Sequence, residues 1–198
     1  MTLAVIPAKG ESRRIPNKNA RPFHGHPIIA YSIAAARYSR LFDQIVVSTD
    51  SPAIAQIAHK YGADAIWRPA GLCLQEIGTQ AVARHAAMMI AKPHDLVCCI
   101  YATAPTMALA DMQKGRNALV DNFFYQFAVG VGIEPLQDAG QFYWSRREAL
   151  MNEKMLHHHP TALIPIRGER ICDINTEDDW QRALGLYEKY TEIKDPSI

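Results

Sequence analysis

The 198-residue chain is 48% hydrophobic, enough to bury one sizeable core in a single domain spanning 1–198. Lys and Arg total 21 against 20 Asp and Glu; the net charge of +1 excludes a broad surface for nucleic acid or anionic membrane. No run approaches membrane-spanning length, and the apolar start at 3–7 is too short for a signal-peptide core and lacks a charged leader, so a cytoplasmic protein is expected.

In chain order, residues 3–7 predict a buried strand, followed by a small-residue loop carrying Lys9, Arg13, Arg14 and Lys18. A helix is predicted over 27–38 and a strand over 44–48. Pro52 suits a first helical turn, and Ile54, Ile57, Ala58 and Tyr61 form one apolar face before Gly62 ends that helix. Strands at 63–67, 96–101 and 127–132 alternate with helices at 79–91 and 111–121. A last helix at 177–190 is capped by Thr176, with Trp180, Ala183, Leu184 and Tyr187 on one side. The alternation predicts an α/β fold, a three-layer sandwich with a mainly parallel sheet. Ligands of such sheets lie beyond the carboxyl ends of the strands, where Lys9, Asp50 and Thr103 would converge. Residues 134–166 break the alternation and are expected to form an excursion. There is no internal repeat.

The cationic loop is suited to a triphosphate: Gly10 lets backbone approach a ligand, and the four cations pair with phosphate oxygens. It is not the Walker pattern, which opens a helix with G-x-x-x-x-G-K-[ST]. A solvated basic loop is the alternative. Cys73, Cys98, Cys99 and Cys172 lack C-x-x-C spacing and are expected to be free thiols, with Cys98 and Cys99 on opposite strand faces. His157-His158-His159 suits an exposed loop better than a zinc site, His24 and His26 flank Gly25 in a turn where they could cap or touch phosphate, and Met88 and Met89 are expected to fill the core.

From Ile6 to Asn19 the chain runs I-P-A-K-G-E-S-R-R-I-P-N-K-N, and from Pro27 to Ile33 P-I-I-A-Y-S-I. These stretches resemble the opening of the cytidylyltransferases that activate sialic-acid-like (nonulosonic) sugars as CMP conjugates. The resemblance continues through Val46-Val47-Ser48-Thr49-Asp50, Arg68-Pro69, Gly78-Thr79, Ala102-Thr103-Ala104-Pro105 and Asp173-Ile174-Asn175-Thr176-Glu177. Two segments, 98–105 and 138–144, look like the pseudaminic acid branch.

The resemblance implies a nucleotide-diphospho-sugar transferase (GT-A-like) architecture and the joining of CTP to a nonulosonic acid with release of pyrophosphate. It implies Lys18, Arg14 and Asp173 as catalytic residues, and Ala8, Lys9, Gly10, Ser12, Asn19, Arg68 and Thr79 around the nucleotide. Asn19, Arg68 and Thr79 would select cytosine. Tyr101, Thr103, Gln141, Phe142 and Tyr143 would line the sugar pocket, and Asp173 and Asn175 would hold Mg2+. A homodimer joined through 134–166 is also implied. The chain departs from the family at Lys9, where arginine is usual, at Glu11, where glycine is usual, and at Asn175, where a second aspartate is usual. Leu74-Gln75-Glu76 lies where relatives carry acidic and aromatic residues, so the lid over the base would differ. Pseudaminic acid is the leading substrate; legionaminic or N-acetylneuraminic acid, or a non-catalytic nucleotide-sugar binding protein, are the alternatives.

Overall fold

The computed structural model describes residues 1–12, 14–74, 76–152 and 156–197. Nine strands and six α-helices are named here in chain order among those residues: β1 (Thr2–Pro7), β2 (Pro22–Phe23), β3 (His26–Pro27), α1 (Ile28–Ser39), β4 (Gln44–Thr49), α2 (Pro52–Lys60), β5 (Asp64–Trp67), α3 (Thr79–Met89), β6 (Leu96–Ile100), α4 (Leu109–Asp121), β7 (Phe127–Ile133), β8 (Leu136–Arg146), α5 (Arg147–Met151), β9 (Thr161–Pro165) and α6 (Glu177–Tyr190). Seven strands form one sheet in the order β5-β4-β1-β6-β8-β7-β9, and β2 and β3 form a small hairpin. Every pairing in the large sheet is parallel except those of β8, which runs antiparallel to both β6 and β7.

Alternation along the strands divides the core into two layers. Ala4 and Ile6 of β1, with Cys98 and Ile100 of β6, pack under α1, α2, α4 and α6. Leu3, Val5, Val97 and Cys99 pack under α3 and α5. The three-layer expectation therefore holds, and the adjacent cysteines do face opposite ways. Local signals set the helix ends: Pro52 opens α2 behind a Ser51 cap, and Thr176 and Asp179 form a reciprocal capping box on α6.

Two expectations change. Residues 134–166 supply β8 and the edge strand β9 as well as α5, and the alternation breaks there because β8 enters the sheet reversed. Met88 and Met89 are 66% and 63% exposed, since α3 buries Val82, Ala83, Ala86 and Ala87 and its last turn points outward.

The middle of α4 comes close to β8 at Gly115, where a Cβ would stand 2.7 Å from Trp144 Cδ1 and 3.0 Å from Phe142 Cε2. Trp144 is held by its indole N–H, which donates to the Met112 carbonyl at 2.9 Å. Gly115→Ala should gain about 1 kcal/mol in helix propensity yet lose more to overpacking, for a net destabilisation of about 1–2 kcal/mol in urea unfolding. An unchanged or higher unfolding midpoint would show that the α4–β8 contact yields freely.

Candidate active site

The strand order reverses at β1 and β6: the chain proceeds from β1 outward to β4 and β5, then returns to place β6 on the other side of β1. A crevice opens at such a switch point, beyond the carboxyl ends of the strands. Ala8, at the end of β1, donates its N–H to the Ser48 carbonyl at 2.9 Å, and Gly10 donates to Asp50 Oδ1 at 2.7 Å. A Cβ on Gly10 would stand 2.8 Å from Ser51 Cβ. Gly10 thus serves close packing on the β4 turn, and its N–H is taken by Asp50 rather than aimed at a ligand. Burial pushes the Asp50 carboxyl up, but the Gly10 N–H, its own backbone N–H, the Cys73 thiol and the Arg68 charge outweigh it and hold the group below the usual carboxylate range.

Lys9 and Ser12 are half-buried, and Glu11 and Arg14 point to solvent. Arg13 and Gln75 lie outside the described residues. Lys18 is drawn inward: its Nζ donates to the Ile174 carbonyl at 2.5 Å, across 156 positions of sequence. Burial lowers its pKa, Asp173 raises it, Arg14 lowers it and Asp179 raises it, leaving it below the ordinary lysine value.

Of the residues expected to select the base, Asn19 donates its amide to the Lys9 carbonyl at 2.9 Å and so holds the loop closed. Arg68 is only 5% exposed; Nε donates to Ser48 Oγ at 3.2 Å and Nη2 to the Ser48 carbonyl at 2.6 Å. It is a buried brace at the end of β4, not a surface cation. Thr79 opens α3, with Cys99, Tyr101 and Tyr143 as its polar neighbours.

The five residues expected around the sugar do not share one surface. Tyr101 is partly open, and its hydroxyl donates to Asp138 Oδ2 at 3.2 Å. Thr103 is buried beyond β6. Gln141 turns its amide N–H to the Arg170 carbonyl at 2.7 Å and leaves Oε1 buried without a partner. Phe142 is fully buried beside Gly115 and Gly130, on the opposite layer from Tyr143. Tyr143 is buried too, its hydroxyl unpartnered within hydrogen-bonding geometry beside Cys99 and Thr79. Phe142 is therefore a core residue and Tyr143 lies beneath the site.

Asp138, not singled out from the sequence, meets Tyr101 and lines a cavity with Asp173. Residues 139–142 of β8 stand opposite Gly130 alone, a bulge closed by Gly140 at φ +64° and by the Gly140 N–H, which donates to Asp138 Oδ1 at 2.8 Å. A Cβ on Gly140 would lie 3.3 Å from Asp173 Cβ, so the bulge brings Asp138 and Tyr101 into the neighbourhood of Asp173. The Asp-x-Gly sequence at 138–140 is the signal that could have marked this turn.

Asp173 and Asn175 do face one side, with the Asn175 amide donating to Asp173 Oδ2 at 2.5 Å. Among the described residues there is no group of three or more His, Cys, Asp or Glu that could hold a metal ion. One carboxylate and one amide are hard oxygen donors that suit Mg2+ bound largely through substrate phosphates and water, and do not suit an all-protein cage. His24 and His26 have other partners. His24 stacks on Tyr187 with centroids 4.5 Å apart and donates from Nε2 to the Leu184 carbonyl, while His26 meets Tyr61 and Asp195. Both rings are thus engaged within the fold, with Leu184, Tyr187, Tyr61 and Asp195.

The sequence matches the cytidylyltransferase family over residues 3–141. It is similar to the pseudaminic acid cytidylyltransferase of Campylobacter jejuni subsp. jejuni serotype O:23/36 (strain 81-176), 30% identical over 221 residues that cover 93% of this chain and 95% of that protein. A shorter stretch is 52% identical over 65 residues to the CMP-N,N'-diacetyllegionaminic acid synthase of Legionella pneumophila, covering 33% of this chain and 28% of that one. Among solved structures, CMP:2-keto-3-deoxy-manno-octonic acid synthetase complexed with CTP has the same fold, with a TM-score of 0.78 over 95% of this chain and 98% of the other at 15% identity.

Replacing Lys18 by Ala should cut turnover about 10²–10³-fold, as expected for loss of one preorganised charge, with the circular dichroism spectrum unchanged. The charged form of Lys18 is lost as pH rises through its lowered pKa, so the alkaline fall in turnover should begin below the ordinary lysine value of 10.5 and disappear in Lys18→Arg. Near-native turnover of Lys18→Ala, or the same alkaline limb in Lys18→Arg, would remove Lys18 from the chemistry.

Proposed function

The chain belongs to the cytidylyltransferase family and is an enzyme of that type, and we propose that it couples CTP to a nonulosonic acid, pseudaminic acid, releasing pyrophosphate. The observation that carries this is the bond from Lys18 Nζ to the Ile174 carbonyl, which joins a cation-rich loop to Asp173 across the crevice. The nucleotide assignment is supported by Lys9, Arg14 and Lys18 around one loop, and the acceptor by the similarity to a pseudaminic acid cytidylyltransferase over most of both chains. The stretch similar to a legionaminic acid synthase favours legionaminic acid as the second reading.

The acceptor's anomeric hydroxyl attacks the α-phosphorus in line, an O–P bond forms as the bond to the β-phosphate oxygen breaks, pyrophosphate leaves, and the hydroxyl proton passes to water. Lys9, Arg14 and Lys18 neutralise the charge that grows on the leaving group, so positioning and electrostatics supply most of the acceleration. Asp173, with Asn175 beside it, would hold Mg2+, which when bound supplies positive charge against the triphosphate. Tyr101, kept neutral because burial and then Asp138 push its pKa up, offers a hydroxyl to the sugar. A homodimer would cover Ile133, Leu136 and Leu163, which are 58%, 66% and 52% exposed near the β7–β8 turn and the β9 edge.

Pyrophosphate release assayed with CTP and ATP against a panel of sugar acids should show CTP dependence and highest kcat/KM with pseudaminic acid. Equal use of ATP rejects the nucleotide assignment, and preference for legionaminic acid selects the second reading. Asn175→Asp places a second carboxylate where an amide now meets Asp173 at 2.5 Å. It should lower the Mg2+ needed for half-maximal turnover about tenfold, roughly 1.4 kcal/mol, and make thermal stability depend on Mg2+, because like charges at that separation disfavour ionisation of both. Unchanged Mg2+ dependence in both measurements excludes Asn175 as a ligand. Sedimentation at concentrations well above micromolar should give a dimer, and Leu136→Glu a monomer; a monomeric wild type counts against the dimer.

A further inference from the structure

A cavity of about 700 Å³ opens beside Asp173, between the turn joining β7 to β8 and the segment leading into α6. Its charged lining is Glu134, Asp138, Asp173 and Arg182, and Arg182 is the one cation among the described lining residues. Three carboxylates disfavour a triphosphate in this space. They favour a ligand rich in hydroxyl and N–H donors, while the lone guanidinium calls for a single anionic group on that ligand.

Arg182 is placed to receive such a group. It rises from α6, whose neighbouring Trp180 and Ala183 are buried, so its backbone is anchored. Its Nη2 donates to the Ile171 carbonyl at 3.4 Å, a long bond that leaves the rest of the fork available. Asp179, whose carboxyl feels the Arg182 charge, has its Oδ2 committed to Asn175 N, Thr176 N and Thr176 Oγ1 in the helix cap. A planar fork with unused donors matches a carboxylate bidentately.

Resting on the proposed reaction, we propose that Arg182 binds the carboxylate of the acceptor sugar acid in this cavity. In a 2-keto sugar acid the carboxylate is attached to the carbon bearing the anomeric hydroxyl. Holding the carboxylate at Arg182 therefore keeps the attacking hydroxyl in the cavity that Asp173 also lines, while Asp138, with lone pairs beyond its bonds to Gly140 and Tyr101, accepts from the sugar's donors.

The test compares wild type, Arg182→Gln, Arg182→Lys and Gly168→Leu in the full chain. Gly168 lines the cavity and a Cβ there would meet nothing within 4 Å, so a leucine adds bulk to the cavity lining without crowding the fold. Arg182→Gln should raise KM for the sugar acid about 30-fold, Arg182→Lys should recover part of it, and KM for CTP should stay within about twofold. Calorimetry of the sugar acid with each protein should show the same order. Gly168→Leu should also raise the sugar-acid KM, and decides the matter should Arg182→Gln fail to fold. An unchanged sugar-acid KM in Arg182→Gln, or in Gly168→Leu, overturns the inference while leaving the reaction standing, as does an equal rise in the KM for CTP. A wild type that releases pyrophosphate with no sugar acid overturns the reaction and this inference together.

Discussion

The burial of Phe23 is the constraint on which the site depends. Its ring meets Tyr31, Trp180 and Tyr187 edge-on at centroid distances of 5.6, 5.5 and 5.3 Å, which pins the β2–β3 hairpin to α6. Such pairs contribute about 0.5–1.5 kcal/mol each beyond the area they bury. Arg21 adds a bidentate bond to Glu177 at 2.6 and 2.7 Å and stacks 4.3 Å over Trp180, but an exposed ion pair is worth less than about 1 kcal/mol. The aromatic cluster therefore decides where the hairpin sits. Lys18 meets the Ile174 carbonyl because the chain just after it is fixed against the helix that follows Asp173.

Within that frame the charges hold one another in place. Asp50 is tied to Gly10 and faces Arg68, Arg68 is tied to Ser48, and Lys18 sits between the Ile174 carbonyl and Asp173. Groups fixed before a ligand arrives need no reorganisation when charge develops, which is what transfer of a nucleotidyl group requires. Beneath them lies a neutral floor. Burial pushes the Cys99 thiol up to about 12 and raises Tyr101 and Tyr143 as well, so all three stay protonated around neutral pH.

The reversed strand β8 carries the other half of the site. Running antiparallel between β6 and β7, it would present a plain alternation of side chains, but the bulge at 139–142 interrupts it. Gly140 takes the left-handed conformation there, Asp138 folds back onto its N–H, and Gln141 turns toward Arg170. The result brings a carboxylate and a tyrosine hydroxyl up to Asp173 while the two aromatic residues that follow sink into opposite layers of the core.

The strands at β1, β4, β5, β6 and β7 and the helices between them were legible in the sequence because period and capping are local: Pro52, Gly62 and Thr176 mark ends that no distant contact has to supply. The cationic loop and the shared face of Asp173 and Asn175 were legible for the same reason, since two positions apart on extended backbone is a local geometry. The tertiary structure alone decided that β8 and β9 enter the sheet, that Phe142 belongs to the core and that Asp138 and Arg182 border the Asp173 cavity. Those facts rest on strand order, on a bulge that shifts register, and on a helix tied at Glu177 to Arg21, 156 positions away. Contacts between distant parts of the chain leave no period in the sequence, so only the folded molecule reveals them.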